Sequence, residues 1–216
     1  MLKKIFYLIA TGMAMFQDLA VGAFIAAAVA SLSGITIEWW HLAVGAFLAV
    51  LPDFDFVVPI FRRLAGGKPV EGNHHESVLH WPTFMLPVAT ALAWLAGGSF
   101  WAAAAFTCLL FHYIHDAYTL DPKDSLGWLF RLRPSYWSRL GIEDETNTEY
   151  GEWIEGWWLQ PSKTSVLEIG IGSVAVGLIA TVLASNAFVG LMFTSTFWVG
   201  AILVWITWLP YKKLQH

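Results

Sequence analysis

Eight histidines and aspartates, residue types that bind metal ions, stand in three short groups beside long apolar runs of this sequence. The groups are Asp53 and Asp55; His74, His75 and His80; and His112, His115 and Asp116. Imidazoles combined with carboxylates suit zinc, manganese or iron, whereas magnesium and calcium are expected to use oxygen ligands alone. We therefore expect a divalent metal site, with zinc as first choice and manganese or iron as alternatives. Eight ligands exceed what one tetrahedral ion uses, which leaves one ion and two ions as alternatives.

The spacing of these residues places each group at the end of a helix. His112 lies three residues before His115 and four before Asp116, so a helix presents them as neighbours on one face. Pro52 breaks the preceding helix and lets the carboxylates after it turn toward a common ion. His80 directly precedes Trp81-Pro82, where proline fits a first helical turn. The remaining histidines, His41 and His216, are treated as structural.

The elements that position the groups are membrane helices. The chain is 57% hydrophobic and 13% charged, with a mean hydropathy of +0.58, which lies outside the range of soluble domains. We predict an all-α, polytopic integral membrane protein with six transmembrane helices; because the second and third are short, five is the alternative. The predicted spans cover residues 19–37, 40–51, 81–95, 100–113, 166–184 and 191–209. The apolar stretch before the first span is read as an uncleaved start, either a surface helix or the first turns of span one.

The cations orient these spans. Six spans place the loops 52–79 and 117–165 and both termini on one side, and all 12 Lys and Arg residues then fall there. The positive-inside rule makes that side cytoplasmic, and we expect the membrane to be the plasma (inner) membrane. The three ligand groups share this face, because span two reaches it, span three leaves it and span four returns. We divide the chain into a membrane domain with the site (1–116), a cytoplasmic or interfacial loop (117–165) and a two-helix membrane hairpin (166–216).

Composition also bounds the partners. The net charge of −4 and the lack of a basic run with stacking aromatics argue against nucleic acid. Membrane lipids are the expected neighbours. The lone Cys108 allows no internal disulfide. Glycines in span five allow close helix approach within the monomer or between copies, which leaves the oligomeric state open. They are Gly170, Gly172 and Gly177.

Three motifs resemble a family of bacterial inner-membrane-associated proteins classed as metal-dependent hydrolases. They are Leu51-Pro52-Asp53-Phe54-Asp55; His75-Glu76-Ser77-Val78-Leu79-His80; and His112-Tyr113-Ile114-His115-Asp116. The resemblance covers a little over half of the chain. The family typically has Leu-Pro-Asp-x-Asp, His-Arg-x-x-Thr-His-Ser and His-x-x-x-Asp segments, so it implies a metal site on these residues and a hydrolytic activity.

This chain departs from the family pattern at several positions, as a divergent branch with its own substrate would. Glu76, Leu79 and Trp81 replace the Arg, Thr and Ser of the second motif. The family also tends to have a histidine at the start of its first span, where this chain has Gln17-Asp18. For Asp18 a metal ligand and a solvated helix-end acid are the two readings, and the second is favoured.

The expected function is metal-assisted hydrolysis at the cytoplasmic membrane edge. Glu76 is the candidate general base; pairing with Arg62 or Arg63 is its structural alternative. Arg131 and Arg133 are expected to bind an anionic small-molecule or lipid-like substrate, such as a phosphoester, or else to hold lipid head groups. The competing class is a non-enzymatic membrane protein: a metal carrier or sensor, or a scaffold with a structural polar cluster. A carrier should distribute ligands through the bilayer midplane, and spans five and six contain no histidine or aspartate.

Overall fold

The computed structural model describes residues 2–56, 78–119 and 159–213, and all regular structure in these ranges is helical. The all-α prediction is confirmed. Helices α2 to α6 overlap the predicted spans two to six, but α4 continues past the predicted end to carry His115 and Asp116, and α6 extends four residues beyond the predicted span at each end. The elements are α1 (Leu2–Leu32), α2 (Trp39–Val50), 3-10 helices at Pro52–Phe56 and Val78–His80, α3 (Pro82–Gly97), α4 (Ser99–Thr119), α5 (Lys163–Ala184) and α6 (Ala187–Lys213).

Three helical segments of the described residues are long and apolar enough to cross a membrane: Met15–Leu32, Ser165–Ala184 and Ala187–Lys212. Helices α2 and α3 are apolar but shorter. Helix α4 has 21 residues, yet the polar residues of its last turns lower its hydropathy. The chain thus contains membrane-compatible helices, and the count of six spans stays a prediction.

Helix α1 begins earlier than the predicted first span. It runs unbroken from Leu2 to Leu32, because neither proline nor a left-handed residue interrupts the chain before Gly34, whose φ is +68°. The apolar stretch before residue 19 therefore forms the first turns of the same helix. Of the two alternatives left by the sequence, the separate surface helix is wrong.

The chain divides into two compact units. One comprises Met1–Phe24 with Thr146–His216, and the other comprises Ile25–Glu145. In the first unit, α5 and α6 form a hairpin whose turn has Ser185 in the left-handed conformation at φ +48°. A side chain at Gly177 would overlap Thr194, so the glycine permits close approach of the two helices within one chain.

The second unit contains α2, α3, α4 and both 3-10 helices. Helices α3 and α4 form a hairpin that turns at Gly98, where φ is +82°. Gly97 faces the Trp101 ring so closely that a Cβ would overlap it. At the other end of this hairpin, Met85, Leu109 and Tyr113 form a buried apolar cluster. The candidate ligands lie beside this cluster.

Candidate metal centre

Asp53 is positioned by the break at the end of α2. Pro52 lacks a backbone N–H and cannot continue the α-helix pattern, so the chain tightens into a 3-10 turn. The Phe54 N–H donates to the Leu51 carbonyl at 3.1 Å. The Phe54 ring meets Phe47 of α2 edge to face, with centroids 5.2 Å apart. These contacts fix the turn, and with it Asp53, against the end of α2.

His80 ends the second 3-10 helix, immediately before α3. Trp81 has φ −101° and ψ 93°, the extended conformation that a residue before proline favours, and Pro82 opens α3. The Tyr113 hydroxyl donates to the Leu79 carbonyl at 2.6 Å. The peptide preceding His80 is thereby attached to α4, next to His112.

His112 and Asp116 lie one turn apart on α4, as the sequence spacing predicts. Leu109 and Tyr113 on the same helix pack with Met85 of α3, and the half-buried Leu51 and Leu79 pack against them. All three ligand-bearing segments therefore contribute to one apolar cluster. Burial of such side chains is worth about 1.5–3 kcal/mol each, which is enough to hold the segments together.

Four polar atoms converge above this cluster. His80 Nε2 lies 3.4 Å from Asp53 Oδ1 and 3.7 Å from Asp116 Oδ2. His112 Nε2 lies 3.6 Å from Asp53 Oδ1 and 3.1 Å from Asp116 Oδ2. Asp53, His80 and His112 each offer one ligand atom within 4.8 Å of the others. We call Asp53, His80, His112 and Asp116 the metal-site group: the first three could together hold a metal ion, and Asp116 adjoins both imidazoles.

Asp53, His80 and His112 form a group that could hold a metal ion. Ligand atoms about 2.0 Å from a tetrahedral ion lie roughly 3.3 Å apart, and Asp53 Oδ1 lies 3.4 Å from His80 Nε2 and 3.6 Å from His112 Nε2. Two imidazole nitrogens with carboxylate oxygens form a set that transition metals accept. The His80 and His112 side chains are 0% and 1% exposed, whereas those of Asp53 and Asp116 are 24% and 16% exposed. The exposed part of the group therefore belongs to the aspartates, although Asp116 Oδ2, which faces both imidazoles, is buried.

Five of the eight predicted ligands have described side chains, and four of these lie together: Asp53, His80, His112 and Asp116. The His115 ring stacks on Phe111 with centroids 5.8 Å apart and is half-buried, outside the metal-site group. Spacing alone could not separate it from Asp116, since both positions neighbour His112 on a helix. The other predicted site residues lie outside the described residues, or their side chains do: Asp55, His74, His75, Glu76, Arg131 and Arg133.

His41 has the structural surroundings expected of it. The side chain is 3% exposed, and its Nδ1 accepts the Glu38 backbone N–H at 3.0 Å at the start of α2. The ring stacks on Trp101 and meets Phe100 edge to face. His41 therefore serves as a helix cap in an aromatic cluster.

The favoured reading of Asp18 as a solvated helix-end acid is wrong. Asp18 is 6% exposed because α1 begins at Leu2, which places Asp18 inside the helix. In the same unit Gln17 is 2% and Glu168 is 4% exposed. The close approach of Gln17 to α5 depends on Gly172, where an added Cβ would lie 3.1 Å from Gln17 Cγ. Carboxylates within apolar runs were the sequence signal for this buried polar region.

The sequence matches no protein-family model, and no curated protein or solved structure matches it either. Similarity therefore supplies no function, and the chemistry of the metal-site group is the basis for proposing one.

Proposed function

We propose that this protein is a membrane-bound, metal-dependent hydrolase of the bacterial inner membrane that acts on a phosphoester. The observation that supports the proposal is the convergence of His80 and His112 with Asp53 and Asp116 at 3.1–3.7 Å. These residues come from three separate segments, and of the four side chains only the two aspartates are partly exposed. A partly open set of ligands is typical of catalytic rather than structural metal sites.

Asp53, His80 and His112 would hold the ion, and Asp116 is the fourth donor beside His112. A bound ion supplies Lewis acidity, which favours hydroxide over water at neutral pH and polarises a phosphoryl oxygen. Zinc is the ion we favour for this donor set, with manganese and iron as the alternatives.

Hydrolysis also needs groups that move protons. The oxygen of water forms a bond to phosphorus, the phosphorus–oxygen bond to the leaving alcohol breaks, and one water proton passes to a carboxylate. The alkoxide that leaves takes up a proton. Glu76 is the base that we infer from the sequence.

We infer that the site lies at the cytoplasmic edge of a six-span membrane domain. Its residues stand at the end of α2, just before α3 and in the last turns of α4. Apolar helices that meet at such an edge give access to lipid-like substrates, and Arg131 and Arg133 remain our candidates for binding their anionic head groups.

The alternative is a non-enzymatic scaffold in which the same four residues form a structural polar cluster. Protonated His80 and His112 could pair with both carboxylates at the distances observed. A metal carrier is less well supported, because the described ligands gather at one end of the helices rather than along them.

Metal content distinguishes these functions. We would measure zinc, manganese and iron by elemental analysis of the purified full chain in detergent, comparing the wild type with a His112→Ala, Asp116→Ala double variant. His115→Ala is the matched control, since His115 shares the helix but not the metal-site group. We expect stoichiometric metal in the wild type and the control but not in the double variant, together with metal-dependent phosphoester hydrolysis. A folded wild type that neither contains nor binds these ions would refute the hydrolase and favour the scaffold.

A further inference from the structure

Glu38 and His41 form a titratable pair at the end of α2 that lies away from the metal-site group. Helix α2 runs from Trp39 to Val50, and Asp53 follows its other end, so the pair lies roughly 18 Å along the helix from that ligand. The predicted orientation of the spans places this end outside the cytoplasm. The proposed hydrolysis uses neither residue of the pair.

Glu38 is the charged group that faces His41. The segments around the imidazole are the linker before α2, the first turn of α2 and the start of α4. In the sequence, residues 19–52 and 81–111 contain Glu38 and His41 but no other acidic residue, basic residue or histidine. Glu38 is therefore the charged partner that these segments offer to a protonated His41.

The observed start of α2 requires a neutral His41. Nδ1 of His41 accepts the Glu38 backbone N–H at 3.0 Å, which is one half of a capping box. A histidine nitrogen accepts a hydrogen bond only when it carries no proton, and an imidazolium has two donors and no acceptor. The cap therefore forms with the His41 proton on Nε2 and is incompatible with a proton on Nδ1.

The Glu38 carboxylate provides a second partner for the same ring. Glu38 is exposed, and its Oε2 accepts the Trp40 indole N–H at 2.6 Å. His41 Nδ1 already lies beside Glu38, because it contacts that residue's backbone nitrogen. A protonated Nδ1 can donate to the carboxylate instead, and a hydrogen bond between two ionised groups is stronger than one from a neutral indole.

Aromatic rings hold the imidazole at the contact of α2 and α4. The His41 ring centroid lies 3.8 Å from that of Trp40 and 5.7 Å from that of Trp101, at interplanar angles of 30° and 25°. A cation over the face of a tryptophan is attracted by the ring, so a protonated His41 can stay in this cluster. Protonation therefore changes the hydrogen bonds at the start of α2 without expelling the ring.

We propose that His41 and Glu38 form a pH-sensitive cap of α2. At neutral pH, His41 Nδ1 accepts the Glu38 N–H, and α2 begins as observed. In acid, a proton from water adds to Nδ1, the bond to the backbone N–H breaks, and the imidazolium pairs with the Glu38 carboxylate. The first turn of α2 then loses its cap where it contacts α4. The device responds to pH at the end of the helices opposite the metal-site group.

Amide hydrogen exchange, resolved to single residues by mass spectrometry, tests this switch. The full chain in lipid nanodiscs would be measured from about pH 8 to about pH 5, the range in which histidine is the usual titrating group. Each rate would be divided by that of the unfolded peptide at the same pH. The cap of α5 is the internal control, because there the Ser162 N–H donates to the Ser165 hydroxyl at 2.8 Å and a hydroxyl does not titrate in this range.

We expect the protection of the Glu38 amide to fall at least about fivefold in acid, as the loss of a helix cap implies. The protection of the Ser162 amide should stay constant. An unchanged Glu38 amide would overturn the switch. An equal fall at Ser162 would also overturn it, since acid would then loosen the protein as a whole. This comparison lies within the wild type and needs no variant.

Two variants identify the titrating group. His41→Gln keeps an acceptor for the Glu38 N–H, because glutamine also forms a capping box from this position, but it does not titrate. Its Glu38 amide should stay protected in acid. Trp40→Phe is the matched control, because it alters the same cluster and retains His41, and it should lose protection in acid like the wild type. A fall in folded His41→Gln as large as in the wild type would show that another group takes up the proton and would overturn the proposal.

Discussion

The Tyr113 hydroxyl donates a 2.6 Å hydrogen bond to the Leu79 carbonyl across 34 residues of sequence. Each partner adjoins a candidate ligand, since Leu79 precedes His80 and Tyr113 follows His112. The bond therefore fixes the separation of the two imidazoles, whose ring centroids lie 5.6 Å apart. Such outer contacts orient metal ligands and tune the affinity of a site.

Tyr113→Phe should weaken metal binding without abolishing it. The substitution removes the bond to Leu79 but keeps the ring in the apolar cluster, and loss of such outer contacts typically costs 10–100-fold in metal affinity. Zinc titration against a competing chelator measures the change. Tyr211→Phe, in the other compact unit, is the control and should bind zinc like the wild type. Equal affinities of Tyr113→Phe and the wild type would show that the bond does not position the ligands.

Asp53→Asn and Asp18→Asn should differ in metal content. Asp53 belongs to the metal-site group. The asparagine side chain of Asp53→Asn has no charge, so this variant should bind zinc more weakly than the wild type by more than about 100-fold. Asp18 is buried in the other unit, and Asp18→Asn should retain stoichiometric zinc. Metal content of the two purified variants decides this. If folded Asp18→Asn lost its metal, Asp18 would be a ligand, and the metal-site group as we define it would lack one of its members.

Thr90→Val should be neutral or stabilising, in contrast to Thr107→Val. Among the described residues, Thr90 Oγ1 is buried with no hydrogen-bond partner, whereas Thr107 Oγ1 donates to the Ala103 carbonyl at 2.6 Å. Valine removes an unsatisfied hydroxyl in the first case, and an unsatisfied buried polar group costs about 1–3 kcal/mol. Thermal unfolding in detergent compares the two variants. A Thr90→Val protein that unfolds at a lower temperature than Thr107→Val would contradict this account.

Gly97→Ala should destabilise the hairpin of α3 and α4. An added Cβ would overlap the Trp101 ring, and such overpacking typically costs 1–3 kcal/mol. Gly12→Ala is the contrasting change, because a Cβ there meets nothing within 4 Å and alanine favours a helix by up to about 1 kcal/mol. Thermal unfolding should therefore shift down for Gly97→Ala and up for Gly12→Ala. A Gly97→Ala protein that unfolds at or above the wild-type temperature would mean that Trp101 moves aside freely.

Local features of the sequence were sufficient to predict the helices and their polar ends. Runs of apolar residues predicted α2 to α6, and Pro52 and Pro82 marked where helices break and begin. The four-residue spacing of His112 and Asp116 placed them on one face. These features act over a few residues, because helix geometry and the loss of a backbone N–H at proline are local properties.

Long-range packing decided which predicted residues meet. Leu51 and Leu79 pack against the buried cluster that contains Tyr113, and this packing brings Asp53 to His80 and His112. His115 stacks on Phe111 instead. The burial of Asp18 likewise depended on where α1 begins and on what packs against it. The sequence by itself determined the helical, membrane-compatible character of the chain and its metal-binding residue types. The tertiary structure decided the convergence of the metal-site group, because residues distant in sequence meet only through the packing of whole helices.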